Sequence, residues 1–181
     1  MIITISGVPG SGKTSVGRKL AERLGYPFES VGELRGKMAL ERGMDINQLN
    51  AVGETDPSTD NPVDEYQREL GRTKDHFIME GRISWYFIPN SFKILLLCDL
   101  NEGAARVMAS AREDEGYGSK EEAITAFQAR TASDTRRYKK YYDIDNYLDP
   151  AHYDFVLDTT HIKGVEAVTD AVEKAVRERM G

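Results

Sequence analysis

Five short apolar runs punctuate the chain: "IITIS" (2–6), "YPFESV" (26–31), "HFIME" (76–80), "FKILLLC" (92–98) and "YDFVLDT" (153–159). The first and fourth are apolar almost without interruption, the pattern of strands covered on both faces. Between the runs, apolar residues recur at helical spacing. Val16, Leu20, Ala21 and Leu24 form one stripe over Lys13–Leu24, and Val165, Val168, Val172 and Val176 form another over 163–180. Residues 101–112 and 121–142 also fit helices. Strands that alternate with helices predict an α/β fold: helices on both faces of a parallel sheet, joined by right-handed crossovers.

Two stretches break this alternation. Residues 32–72 hold polar helical pieces but no strand, and include the acidic "GETDPSTDNPVDE". Residues 113–120, "EDEGYGSK", are charged and glycine-rich between two helices. Both read as mobile excursions from a rigid core, of the kind that serve as clamps or lids beside a phosphate site.

Composition bounds the partners. The 181 residues make one domain, with 40% apolar and 30% charged residues, as expected of a globular protein. A formal net charge of -6 argues against nucleic acid or an anionic membrane as partner. The single cysteine, Cys98, lies in an apolar run and reads as a small buried hydrophobe in a reducing compartment, hence cytoplasmic. No apolar run approaches membrane-spanning length, and the start lacks the basic leader of a signal peptide.

Chemistry enters at the first strand. Gly7-Val8-Pro9-Gly10-Ser11-Gly12-Lys13-Thr14, followed by Ser15, fits G-x-x-x-x-G-K-[ST], with a strand before it and a helix after it. Glycines let such a loop curl and aim its N–H groups inward, and the helix start adds the positive end of its dipole. Lys13 can reach the β- and γ-phosphates, and the Thr14 hydroxyl can ligate Mg²⁺. The loop therefore predicts binding of ATP-Mg²⁺. It does not name a reaction, because GTPases, ATPases and small kinases share it. A short chain with two insertions and no N-K-x-D guanine-reading motif fits a small kinase.

Glu80 and Arg82 follow the third strand in "FIMEGR", at the sheet's carboxyl edge. There Glu80 could hold Mg²⁺ through water. Arg130, Asp134 and Arg137 stand at i, i+4 and i+7, on one face of a predicted helix. Planar, permanently charged guanidinium groups suit a transferring phosphoryl group, and Asp134 would hold one of them in place. Tyr138, Lys139, Lys140, Tyr141 and Tyr142 read instead as helix surface and packing.

These pieces together resemble the archaeal-type cytidylate kinases of the nucleoside monophosphate kinase superfamily, over residues 1 to about 160. Beyond the phosphate loop the likeness is carried by "SVGELR" (30–35), "ETDP", "DEYQREL", "MEGRIS" (79–84) and "RTASDTRRYKKYYDID" (130–145). It implies transfer of the ATP γ-phosphoryl to CMP or dCMP by a monomer, on a sheet of order 2-3-1-4-5 with a monophosphate-binding insertion (32–72) and a lid (113–120). Arg35 and Arg82 would hold the acceptor phosphate, Arg130 and Arg137 would bridge donor and acceptor, and Ser30 and Gln67 would lie near the acceptor nucleoside. The chain departs from the family in the helix entering the lid. There "ARVMASARED" has Ala105, Met108 and Ala111 where more basic residues are expected, and the lid itself is acidic. Kinases with the same loop also take AMP, UMP or shikimate. A nucleotide-dependent switch or assembly protein on the same fold is the other reading.

Overall fold

The structure is a computed structural model and describes residues 1–110 and 117–181. Strands β1 (Ile3–Gly7), β2 (Phe28–Ser30), β3 (Ile78–Glu80), β4 (Phe92–Leu97) and β5 (Phe155–Asp158) form one parallel sheet of order β2-β3-β1-β4-β5. β1 is central and fully buried, and its two polar residues are satisfied there: the Thr4 and Ser91 hydroxyls share a hydrogen bond at 2.8 Å and the Ser6 hydroxyl donates to the Gly81 carbonyl at 2.8 Å. The outer strands are shorter than their apolar runs, because only part of each run finds a partner. In β2, for example, residues 28–30 pair with 78–80 of β3.

Helices α1 (Lys13–Leu24) and α8 (Val165–Met180) cover one face. Val16 and Leu20 of α1 pack with Val168, Val172 and Val176 of α8 over Ile3, Ile5 and Ile94. The other face is aromatic. Trp85, Phe87, Tyr138 and Tyr147 pack on Ile2 and Met79, drawing on α7 (Lys120–Tyr142) and the single turn α5 (Ser84–Phe87), which the periodicity does not reveal. A third small cluster, Ala104, Ala123 and Phe127, joins α6 (Leu100–Ala109) to α7. Residues 32–72 fold as α2 (Val31–Glu41), α3 (Ile46–Gly53), a 3₁₀ turn at Pro57–Thr59, and most of α4 (Asn61–Thr73), with no strand. Of the predicted lid, residues 113–116 lie outside the described residues. Ser119 closes it by capping α7, its hydroxyl accepting from the Glu122 amide at 3.1 Å.

The carboxyl ends of β1, β2 and β3 deliver Gly7, Ser30 and Glu80 to one edge of the sheet. Cys98, just past β4, is partly exposed there and not buried as expected, since the apolar cover ends with the strand; desolvation still pushes its thiol pKa up. No helix among the described residues is long and apolar enough to cross a membrane.

Candidate active site

The loop after β1 is shaped by backbone alone. Gly10 and Gly12 adopt positive φ values of 74° and 84°, which L side chains rarely take. A Cβ on Gly10 would also lie 2.3 Å from the Gly103 Cα of α6, so the loop is seated directly against that helix. Gly7 and Val8 form its base, with the Val8 amide donating to the Leu96 carbonyl at 3.3 Å. Residues Pro9, Gly10, Ser11, Gly12, Lys13, Thr14 and Ser15 line a cleft of about 860 Å³. Gly12 is the N-cap of α1 and supplies no side-chain cap, which leaves the first amides of the helix facing that cleft.

One turn beyond Gly103 on α6, Arg106 lines the same cleft. Its guanidinium donates to the Thr159 carbonyl at 2.7 Å, to those of Thr160 and Ile162 at 3.3 Å, and to Glu102 at 2.9 Å. The sequence reading passed over Arg106. The one signal available was its i, i+4 spacing from Glu102.

Ser30, Arg35, Glu80, Arg82, Arg130, Asp134 and Arg137 all line the same cleft. Register explains the first contact: Ser30 and Glu80 are paired in neighbouring strands, and the Ser30 hydroxyl donates to Glu80 Oε2 at 2.6 Å. The same hydroxyl caps α2. From these elements grows a chain of alternating charges. Arg35 pairs with Asp60, whose second oxygen lies 3.5 Å from Arg137 Nε. Arg137 Nη2 donates to Asp134 Oδ1 at 3.1 Å, and Asp134 Oδ2 lies 2.5 Å from Arg82 Nε. Arg35 is further held by Asn50 Oδ1 at 3.0 Å.

All five charges are largely buried, where neither sign is tolerated alone. Burial, with repulsion from Arg137, pushes the Arg35 pKa down to about 10, which leaves it charged at neutral pH. Burial works the same way on Arg82, but the Asp134 carboxylate and further partial charges around it carry its pKa above the ordinary guanidinium value. Arg137 Nη1 is buried with no hydrogen-bond partner.

A second, smaller cavity of about 30 Å³ lies behind this chain. Val31, Arg35, Arg82, Arg137 and Tyr138 line both cavities and so mark the boundary between them. Gln67 lies at the far end, its Oε1 accepting from Ser84 at 2.7 Å. The reading of 138–142 as surface and packing holds, but it leaves out that two of the packed tyrosines also line a cavity. Lys139 and Lys140 are exposed, but Tyr138 and Tyr142 turn inward and line the smaller cavity. Residues of α7 also clasp the end of α3. Ser133 and Arg136 bond the Glu54 carboxylate at 2.5 and 3.1 Å, and Tyr141 bonds the Gly53 carbonyl at 3.1 Å.

Sheet order and phosphate loop together define the class, a P-loop kinase fold. Solved structures agree: the chain superposes on a shikimate kinase from Bacteroides thetaiotaomicron with a TM-score of 0.65 at 12% identity, covering 98% of each chain. An uncharacterized protein from Eubacterium ventriosum gives 0.73 at 23% identity, also covering 98% of each. Within that class the chain belongs to the cytidylate kinase-like family, whose model matches residues 2–161. It is 41% identical to the cytidylate kinase of Methanocella arvoryzae, over 93% of this chain and 94% of that one. It is 36% identical to the cytidylate kinase of Methanocorpusculum labreanum, over 99% of both.

Proposed function

We propose that the protein is a nucleoside monophosphate kinase that transfers the γ-phosphoryl of ATP to CMP or dCMP, giving ADP and CDP or dCDP. One observation carries this reading. Three guanidinium groups, those of Arg35, Arg82 and Arg137, converge on the boundary between a cleft floored by a phosphate loop and a second cavity. A donor phosphate on one side and an acceptor phosphate on the other would meet there. The buried, unpartnered Arg137 Nη1 costs about 1–3 kcal/mol in that position, a cost that a bound phosphate oxygen relieves.

The loop amides and Lys13 hold the donor phosphates, while Arg106 and the loop it clasps wall the donor site. Arg35 and Arg82 take the acceptor phosphate. Arg130 and Arg137, two turns apart on α7, stabilise the charge that shifts between donor and acceptor oxygens. Asp134 fixes Arg82 and Arg137 in line. Ser30 and Gln67 lie beside the acceptor nucleoside. Among the described residues no three His, Cys, Asp or Glu side chains converge as a metal cage. Mg²⁺ held mostly by phosphate oxygens and water needs only one or two protein ligands, so Thr14 and Glu80, on one cleft, fit it. Bound there, the ion would neutralise charge on the transferring phosphates.

Catalysis is then positioning and electrostatics, with no covalent intermediate on the protein. Residues 32–72 act as the acceptor clamp and 113–120 as the lid, excluding water that would otherwise hydrolyse ATP. The enzyme works as a cytoplasmic monomer on soluble nucleotides. A coupled assay of ADP release from ATP-Mg²⁺ with CMP, dCMP, UMP, AMP and shikimate tests the reading. The expected result is a kcat/KM at least about tenfold higher for a cytidylate than for any other acceptor. Preference for AMP, UMP or shikimate overturns the assignment of acceptor, and slow turnover indifferent to acceptor overturns the kinase.

A further inference from the structure

The smaller cavity has two chemically different ends. Its near end, shared with the phosphate cleft, carries the guanidinium groups of Arg35, Arg82 and Arg137. Its far end carries Asp64, Gln67 and Tyr142 beside the apolar Val63 and Phe87. At about 30 Å³ the cavity has room for a water or two, so a nucleoside enters only as the 32–72 segment moves outward, but its polarity matches that of a nucleoside monophosphate, with phosphate at one end and a flat ring bearing a few polar edges at the other. Asp64 and Gln67 are three apart on α4, so both project from one face of it. They are 7% and 2% exposed. Carboxylates are rarely buried to this degree without a task or a full set of donors.

The Tyr142 hydroxyl donates a short hydrogen bond to Asp64 Oδ2. An ionised carboxyl group offers about four lone-pair sites, so this bond orients Asp64 and leaves it capacity to accept more. Burial raises the Asp64 pKa above the usual carboxylate value, against the pull of Tyr142 and of the guanidiniums of Arg68, Arg35 and Arg137.

Resting on the kinase reading, we infer that Asp64, held by Tyr142, reads the exocyclic amino group of the acceptor base and thereby sets the preference for cytosine over uracil. The two pyrimidines differ at this edge in hydrogen-bonding sense. Cytosine presents an amino donor at ring position 4, which a carboxylate accepts. Uracil presents a carbonyl oxygen there, which would place two acceptors face to face. A buried site built around one hydrogen bond rejects the analogue that lacks it far more strongly than an apolar pocket rejects a change of shape.

The test is steady-state kinetics with three acceptors: CMP, UMP and the 5′-monophosphate of pyrimidin-2-one riboside, which has hydrogen in place of the amino group. The wild type is expected to favour CMP over both others by about a hundredfold or more in kcat/KM. Asp64→Asn offers an amide donor to the uracil oxygen, and its CMP-to-UMP ratio should fall at least about tenfold, mainly through a gain on UMP. Asp64→Ala should lose the preference without that gain. Equal use of CMP and the pyrimidinone nucleotide by the wild type overturns the inference, and this arm needs no variant to fold. A CMP-to-UMP ratio within threefold of wild type in folded Asp64→Asn overturns it as well. In either case CMP would still be phosphorylated, whereas a wild type that phosphorylates no cytidylate brings down the kinase reading itself.

Discussion

The two halves of the site are built from different materials. The half proposed for the donor is backbone: a contiguous loop whose glycines set its curvature and whose amides face the cleft. The half proposed for the acceptor is side chain: Arg35, Asp60, Arg137, Asp134 and Arg82 arrive from α2, the start of α4, α7 and the end of β3, and pair in a buried row of three cations and two anions. A backbone site tolerates side-chain change except at its glycines and its lysine. A side-chain network couples catalysis to stability, because removing one charge takes a partner from each buried neighbour.

That contrast is sharpest at Lys13. It belongs to the cleft and not to the core, so Lys13→Ala should lower kcat at least about a thousandfold with an unchanged melting midpoint. Arg137→Ala should fail twice. A loss of at least about a hundredfold in kcat, roughly 2.7 kcal/mol of barrier, should come with a lowered melting midpoint, since Asp60 and Asp134 each lose one of two arginine partners and a buried side chain is removed. The spacing alone treats Arg130 and Arg137 alike. Arg137 is 4% exposed, whereas Arg130 is only partly buried, so Arg130→Ala should match the kinetic loss while keeping its midpoint. Equal melting behaviour of the two variants would break the comparison.

Smaller effects sharpen it. Asp134→Asn should lower both kcat, by about tenfold, and the midpoint, because Asp134 serves Arg82 and Arg137 together and is no bystander. Asp64 has a folded-state pKa raised above its unfolded value. Its contribution to stability is therefore present below about pH 4 and lost as pH rises through the raised pKa. Asp64→Asn removes that loss, so its midpoint should gain on the wild type between about pH 4 and pH 7, as melting curves at the two pH values would show. Arg23, on the far side of the sheet, binds Glu166, Asp170 and Glu173 at the surface. Arg23→Ala should leave kcat untouched.

The same division explains what the sequence made visible. The donor loop is contiguous, and its glycines, lysine and threonine carry their meaning in order. The strand order also follows the expectation, and Arg35, Arg82, Arg130, Asp134 and Arg137 line one cleft. Asp60 and Asp64 stand in "GETDPSTDNPVDE", which reads as the acidic part of a mobile excursion. Their burial depends on partners at positions 35, 137 and 142, and no local pattern encodes contacts across that distance. One local sign was present: Asp60, Asp64 and Gln67 follow i, i+4, i+7 spacing alongside apolar Val63 and Leu70, which puts polar groups on the stripe that faces inward. The place of Tyr138 and Tyr142 on the cavity is hidden for the same reason, since their lysine neighbours make the segment read as surface and packing.

The central claim is that the arginine row at the boundary of the two cavities passes a phosphoryl group between nucleotides. Phosphorus NMR of ATP-Mg²⁺ and CMP incubated with the enzyme follows that transfer directly. The account predicts that ADP and CDP appear together in a one-to-one ratio with little inorganic phosphate, and that Arg130→Ala and Arg137→Ala slow both by the same factor. Inorganic phosphate rising with ADP, and no CDP, would contradict it.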